Sequence, residues 1–299
     1  MQQNNIKNLI IANSTIVENE LERIFSKYGD NKLVQAMKYS LLAGGKRLRP
    51  FIVLEVYKAF SNNEDISRAL PFACAIEMIH TYSLIHDDLP CMDNDDYRRG
   101  KLTNHKVYGE AEALLAGDSL LTHAFEIVSN NLNVTEKSVL LAIKCLSTCS
   151  GILGMAGGQM IDLNASKIIR SYDQLTKMHA MKTGALIKCA ALLGYYAYTD
   201  APNSKIENQL ETFATNLGIA FQIRDDVLDE ISSSEQLGKT VGSDKKNEKV
   251  TALSYINLKE AQQEINRLTN ASIEAVRGAL GEKAYVLVEL AKYLIERDK

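Results

Sequence analysis

Asp87-Asp88-Leu89-Pro90-Cys91-Met92-Asp93 and Asp225-Asp226-Val227-Leu228-Asp229 are two tight clusters of carboxylates in this chain of 299 residues. Each follows an apolar stretch of helical pattern, so the spacing predicts two acidic helix ends. Carboxylates there repel one another and the negative end of the helix dipole. A cation seated among them removes that penalty. Hard oxygen donors with room for water suit Mg²⁺, which commonly shares its coordination with substrate phosphates. The pattern points to a Mg²⁺-dependent enzyme acting on a phosphorylated compound. Neither cluster has the alternating ligands, central glycine and twelfth-position glutamate of a helix-loop-helix calcium site.

Geometry separates the two clusters. Asp225 and Asp229 lie one helical turn apart and can reach the same ion. Asp87 and Asp93 would face about 120° away from each other on a straight helix. Pro90 disfavours helix at the residues before it and lets the chain curl, folding Asp93 back toward Asp87. Polar stripes lead into both clusters: His80, Ser83 and Asp87 on one segment, Gly218, Gln222, Asp225 and Asp229 on the other. Each stripe falls on one helix face, as expected for two walls of one wet cavity. Cations complement the acids. Gly44-Gly45-Lys46-Arg47-Leu48-Arg49-Pro50 brings three to a glycine turn before a helix, a plausible anion seat. Arg98-Arg99-Gly100-Lys101 follows the first cluster, Lys239 and Lys249 follow the second, and Lys182-Thr183-Gly184 lies in a helical segment. A diphosphate needs both metal and fixed Arg or Lys donors.

The elements that must hold these groups read as almost entirely helical. Apolar periodicity marks helices near 4–28, 32–43, 49–60, 66–87, 110–130, 135–156, 171–198, 206–230, 250–269 and 272–297. The long non-helical pieces, 88–109 and 231–249, follow the aspartate clusters and make natural lids. No linker, repeat or low-complexity tract interrupts the chain, so the expectation is one all-α domain over 1–299: a single large bundle of about ten or more helices around a central cavity. With 34 Lys+Arg against 37 Asp+Glu the net charge is -3, which argues against a nucleic-acid binder. The five cysteines are odd in number, and Cys145 with Cys149 lacks a second ligand pair nearby; reduced thiols are expected. No signal peptide is read at the N-terminus and no apolar run approaches 18 residues, so a cytoplasmic protein without a membrane span is expected.

Taken together, GGKRLRP at 44–50, IHTYSLIHDDLPCMDNDDYRRG at 79–100, GGQMIDL at 157–163, HAMKTGALI at 179–187, FQIRDDVLD at 221–229 and GKTVGSD at 238–244 resemble the trans-prenyl diphosphate synthases, most closely the bacterial farnesyl (geranyl) diphosphate synthases. The resemblance implies the isoprenoid-synthase fold, a single polyprenyl synthetase domain, a homodimer, and head-to-tail condensation by ionisation, coupling and elimination. It implies that Asp87, Asp93 and Asp225 bind three Mg²⁺ around an allylic diphosphate, with Asp88 and Asp229 in support. Arg98, Lys182 and Lys239 would contact the same diphosphate, and Lys249 would assist. Lys46, Arg49, His80 and Arg99 would hold isopentenyl diphosphate without metal. Thr183 and Gln222 would place oxygen dipoles beside the allylic cation, and Gln159 and Asp162 would line the same region. The residues four and five places before the first cluster, Ser83 and Tyr82, would limit chain growth. Tyr82 there favours a fifteen-carbon product made from dimethylallyl and geranyl substrates. A geranylgeranyl or longer-chain synthase is the nearest rival, and a terpene cyclase or a non-catalytic subunit fits less well. Glu248-Lys249-Val250-Thr251-Ala252-Leu253 departs from the Gly-Lys-Ser/Thr-Thr-Tyr-Pro-like segment of that family.

Overall fold

The computed structural model describes residues 2–237 and 250–296, and Lys239 and Lys249 lie outside them. The fold is all-α, with one two-stranded hairpin among the described residues. The chain divides into two compact units, Met1–Leu146 with Ala190–Pro202, and Ser147–Cys189 with Asn203–Lys299.

The first unit is built from α1 (Gln2–Phe25), α2 (Lys32–Leu41), α3 (Leu48–Ser61), α4 (Leu70–Asp87), the hairpin β1 (Tyr97–Arg98) and β2 (Lys101–Leu102), α5 (Asn104–Tyr108), α6 (Glu110–Ser129) and most of α7 (Glu136–Ser150). Its centre is α4. Eight consecutive residues, Phe72 to Ile79, are buried, so no face of that stretch meets water. Phe25, Phe51, Ile52 and Leu54 pack in the same core without exposure beyond 2%. Pro71 lies in the first turn of α4, where the missing N–H costs nothing. The side chain of Asn31 caps α2 by accepting from Val34 N at 3.0 Å.

The second unit holds α8 (Met155–Asp162), α9 (Ala165–Ile168), α10 (Tyr172–His179), a π turn (Ala180–Gly184), the start of α11 (Ala185–Tyr198), then α12 (Ser204–Leu237), α13 (Leu258–Leu280) and α14 (Tyr285–Glu296). Leu175, Met178, Ile223, Val227, Ile265 and Leu268 form its core. Asn257 and Glu260 close a reciprocal cap at the start of α13.

Several boundaries differ from expectation. The helices read at 250–269 and 272–297 break elsewhere: α13 runs unbroken to Leu280 and stops at Gly281, whose φ of 60° only glycine adopts readily. The stretch 88–109 carries a hairpin and a short helix rather than loop alone. Most consequentially, α12 continues to Leu237, so Asp225 and Asp229 sit within a helix and not at its end. The helix-dipole penalty therefore applies to the first cluster only. One stretch, Glu136–Asp162, is apolar enough by length and composition to cross a membrane, contrary to the expected absence of such a run. It is two helices, α7 and α8, parted by the non-helical residues 151–154.

Candidate active site

In the first unit the chain curls where Pro90 predicts. Helix α4 ends at Asp87, Met92 N donates to Leu89 O at 2.8 Å, and Asp93 N donates to Asp87 O at 2.9 Å. Asp93 is thereby returned to the end of α4, with its side chain exposed and that of Asp87 half-buried. Asp88 behaves differently. It is 3% exposed, and its Oδ1 takes Arg98 Nε at 2.6 Å and the neighbouring guanidinium nitrogen at 2.5 Å. Burial raises the Asp88 carboxyl above its ordinary range, against the pull of Arg98. For Arg98, burial works against the charged form, but the hydrogen bond and charge of Asp88 more than offset it, and the guanidinium stays cationic. Asp88 thus anchors the loop. Arg98 itself sits on the hairpin, whose two turn residues, Arg99 and Gly100, both have positive φ.

That turn carries Arg99 onto the glycine loop. Its guanidinium donates to Gly44 O and lies against Gly45, whose φ of 124° favours glycine. Of the three cations expected from this loop, Arg47 is withdrawn. Its side chain is 1% exposed, donating to Glu77 at 2.6 Å, to Glu18 at 3.2 Å and to Leu41 O at 2.5 Å. It holds the turn, from a left-handed backbone with φ 47°, and does not face a ligand. Lys46 is exposed, while Arg49 is half-buried with its Nε lacking a partner. Burial lowers Arg49 to about 10, with Arg99 lowering it further and Glu77 resisting. His80 is pushed well below its ordinary value by burial first and then by Arg49, Arg99, Arg47 and Arg98. His80 thus lies in a positive field to which Arg49 and Arg99 contribute most after burial, while Arg47 and Arg98 are paired with Glu77 and Asp88; such a field suits an anion.

Residues of the second unit make the other half of the predicted set. Asp162 on α8 pairs with Lys182 at 2.5 Å. Thr183, beside it in the π turn, donates to Gln222 Oε1 at 3.1 Å. Such bulges commonly aim side chains at functional sites. Two glycines allow these approaches: a Cβ on Gly158 would meet Lys182 N at 2.4 Å, and one on Gly218 would meet Gly184 Cα at 2.7 Å. The amide of Gln159 is buried with neither its oxygen nor its nitrogen partnered. On α12 the middle carboxylate again turns inward. Asp226 is 8% exposed and accepts from Ala252 N at 2.8 Å, while Asp225 is half-buried and Asp229 is exposed. Both clusters therefore bury their second aspartate against a protein donor, Arg98 in one and Ala252 N in the other. These all-carboxylate donors fit a hard divalent cation.

The polyprenyl synthetase family model matches residues 30–289. This chain belongs to that family. The farnesyl diphosphate synthase of Bacillus subtilis is 41% identical over 298 residues, covering 99% of both chains. The chloroplastic geranylgeranyl pyrophosphate synthase of Capsicum annuum is 44% identical over 269 residues, 88% of this chain and 71% of that one. Among solved structures, a geranyltransferase from Legionella pneumophila aligns with a TM-score of 0.87 at 31% identity, covering 100% of this chain and 99% of the other.

Within this polyprenyl synthetase the Gly158 approach is testable. Gly158→Ala has only backbone to displace, so α8 or the π turn must shift. We expect a loss of about 1–3 kcal/mol of stability, as for other overpacked sites. Turnover should fall by about 10²-fold as Lys182 moves. Thermal unfolding and steady-state rates on the same preparation check both.

Proposed function

We propose that this chain is a Mg²⁺-dependent trans-prenyltransferase, folded as one polyprenyl synthetase domain over 1–299. It condenses isopentenyl diphosphate with dimethylallyl and geranyl diphosphate, head to tail, into (2E,6E)-farnesyl diphosphate. The observation that carries this reading is the positive field of Arg49 and Arg99 at His80, with the buried carboxylate Glu77 already taken by Arg47; it supports a seat that, with Lys46, takes a diphosphate without metal. Incubation of the purified protein with Mg²⁺, labelled isopentenyl diphosphate and geranyl diphosphate tests it. A fifteen-carbon product is expected; twenty carbons or more would favour the geranylgeranyl or longer-chain alternative, and no product would overturn both.

The family's three Mg²⁺, when bound, neutralise the allylic diphosphate and weaken its bond to carbon. Asp87, Asp93 and Asp225 would hold them, with Asp229 in support and Asp88 acting through Arg98. Arg98, Lys182 and Lys239 stabilise the diphosphate as charge gathers on it, and Lys249 assists. Lys182 must then exchange Asp162 for the substrate, leaving Asp162 and the unpartnered Gln159 amide as neighbours of the reacting chain. Neutral His80 serves the isopentenyl diphosphate as a hydrogen-bond donor while Lys46, Arg49 and Arg99 supply charge. The oxygens of Thr183 and Gln222 face the allylic cation, and water is kept away from it. The departing diphosphate takes the proton, so no protein base is required.

Chain length is set along α4. Ser83 donates to His80 O at 2.8 Å and leaves its neighbour Tyr82 as the bulky group one turn before the aspartates. In Tyr82→Ala the main product should lengthen from fifteen to at least twenty carbons; unchanged fifteen-carbon output on chromatography would remove Tyr82 as the floor. The protein acts as a cytoplasmic homodimer, binding small diphosphates and no nucleic acid. Exposed Leu114 and Leu115 on α6 and Leu140 on α7 support self-association.

A further inference from the structure

His86, immediately before the first aspartate, occupies a slot between α4 and α6. Its Nε2 lies 3.1 Å from Leu114 O and 3.8 Å from Asp118 Oδ1. The ring covers Gly117, where a Cβ would sit 2.1 Å from Nε2 and 2.4 Å from Cδ2. One helical turn earlier on α4, Tyr82 meets the same ring edge to face, with centroids 5.7 Å apart and planes at 77°. The phenol is thus braced on an imidazole that is itself fixed by a backbone carbonyl and by the absence of a side chain at 117. Any side chain at 117 must displace the imidazole from the place where it braces Tyr82.

We propose that Gly117 and His86 are positioning residues for product length, setting where the Tyr82 ring stands although neither need touch the growing chain. This rests on Tyr82 being the floor. A tyrosine in one rotamer closes a pocket sharply; one freed from its brace closes it loosely and lets a further five-carbon unit pass. A residue that only joined α4 to α6 would alter stability and rate but not the ratio of products, because that ratio is independent of how much enzyme is folded.

The experiment compares product chromatograms of Tyr82→Ala, Gly117→Ala, His86→Ala and the double variant Gly117→Ala with His86→Ala, each with Mg²⁺, geranyl diphosphate and excess isopentenyl diphosphate. The ratio of twenty- to fifteen-carbon product should rise by about tenfold or more in both single brace variants, a change typical of a pocket altered by one small group. The double variant should match His86→Ala alone, because without the imidazole the new methyl has nothing to displace. His86→Ala only empties space, so it carries the test if Gly117→Ala does not accumulate. If Tyr82→Ala lengthens the product while both brace variants keep the parental ratio, the brace is overturned and the floor stands. If Tyr82→Ala itself leaves the ratio unchanged, floor and brace fall together.

Discussion

Asp225→Asn is expected to lower kcat by about 10²–10³-fold, the effect of removing one preorganised electrostatic stabiliser. The substitution keeps the shape and the helix, and deletes a charge. The structure supplies its own control. Asp226, the next residue, is buried and accepts from Ala252 N, a bond that an Asn oxygen can also accept. Asp226→Asn should therefore retain far more activity than Asp225→Asn. The first cluster repeats the contrast with a different mechanism. Asp87→Asn should match Asp225→Asn, whereas Asp88→Asn breaks the pair with Arg98 and should act by loosening the hairpin. Raising Mg²⁺ should recover part of the loss in Asp87→Asn and Asp225→Asn and none in Asp88→Asn. Rates measured across a Mg²⁺ titration decide it: an Asp225→Asn enzyme with parental kcat would remove the second cluster from the chemistry.

Much of this arrangement is legible in the residues because it depends on local rules. Pro90 announces the end of α4 and the return of Asp93, and the structure shows that return as a backbone hydrogen bond. The helical content follows from apolar periodicity, and the motifs of the family mark the site. What fails is whatever depends on a partner distant in sequence. Nothing about Arg47 distinguishes it from Lys46 or Arg49 until Glu77 is known to lie opposite it. Nor do the motifs say which aspartate of each cluster faces inward, since Arg98 and Ala252 decide that.

Other misreadings come from signals with two meanings. Gly157 and Gly158 look like helix breakers, yet both lie within α8, where Gly158 permits close contact with the backbone of Lys182. The serines at 232–234 suggest a loop, but α12 passes through them. Conversely, Asn257 with Glu260, and Gly281, were sufficient markers for the two ends of α13; apolar content around 250 and a polar gap near 270 obscured them. The π turn that presents Lys182 and Thr183 has no sequence signature, because one extra residue per turn leaves local composition unchanged. Glu77 was the missed functional residue, and it did leave a trace: it is the lone charge in the apolar run from Phe72 to Ile79.

That charge sets up the largest expected effect on folding. Arg47 and Glu77 are 1% and 2% exposed, and removal of one partner from such a pair leaves an uncompensated buried charge that costs about 3–5 kcal/mol. Glu77→Gln should accordingly lower Tm by about 6–20 °C. The consequence reaches further, because Glu77 also favours the charged forms of Arg49 and Arg99. With it neutral, the seat holds more unbalanced positive charge. Inorganic diphosphate, which supplies the missing counter-charge, should therefore raise Tm more in Glu77→Gln than in the parent, since ligand binding stabilises in proportion to its affinity for the folded form. Arg47→Met should be as destabilising but should show no such excess. Combining Arg47→Met with Glu77→Met removes both charges while filling the space, and should restore most of the lost stability. Thermal unfolding of the four proteins with and without diphosphate tests the argument: a double variant no more stable than its parents by substitution would mean that the buried pair is not what these two residues contribute.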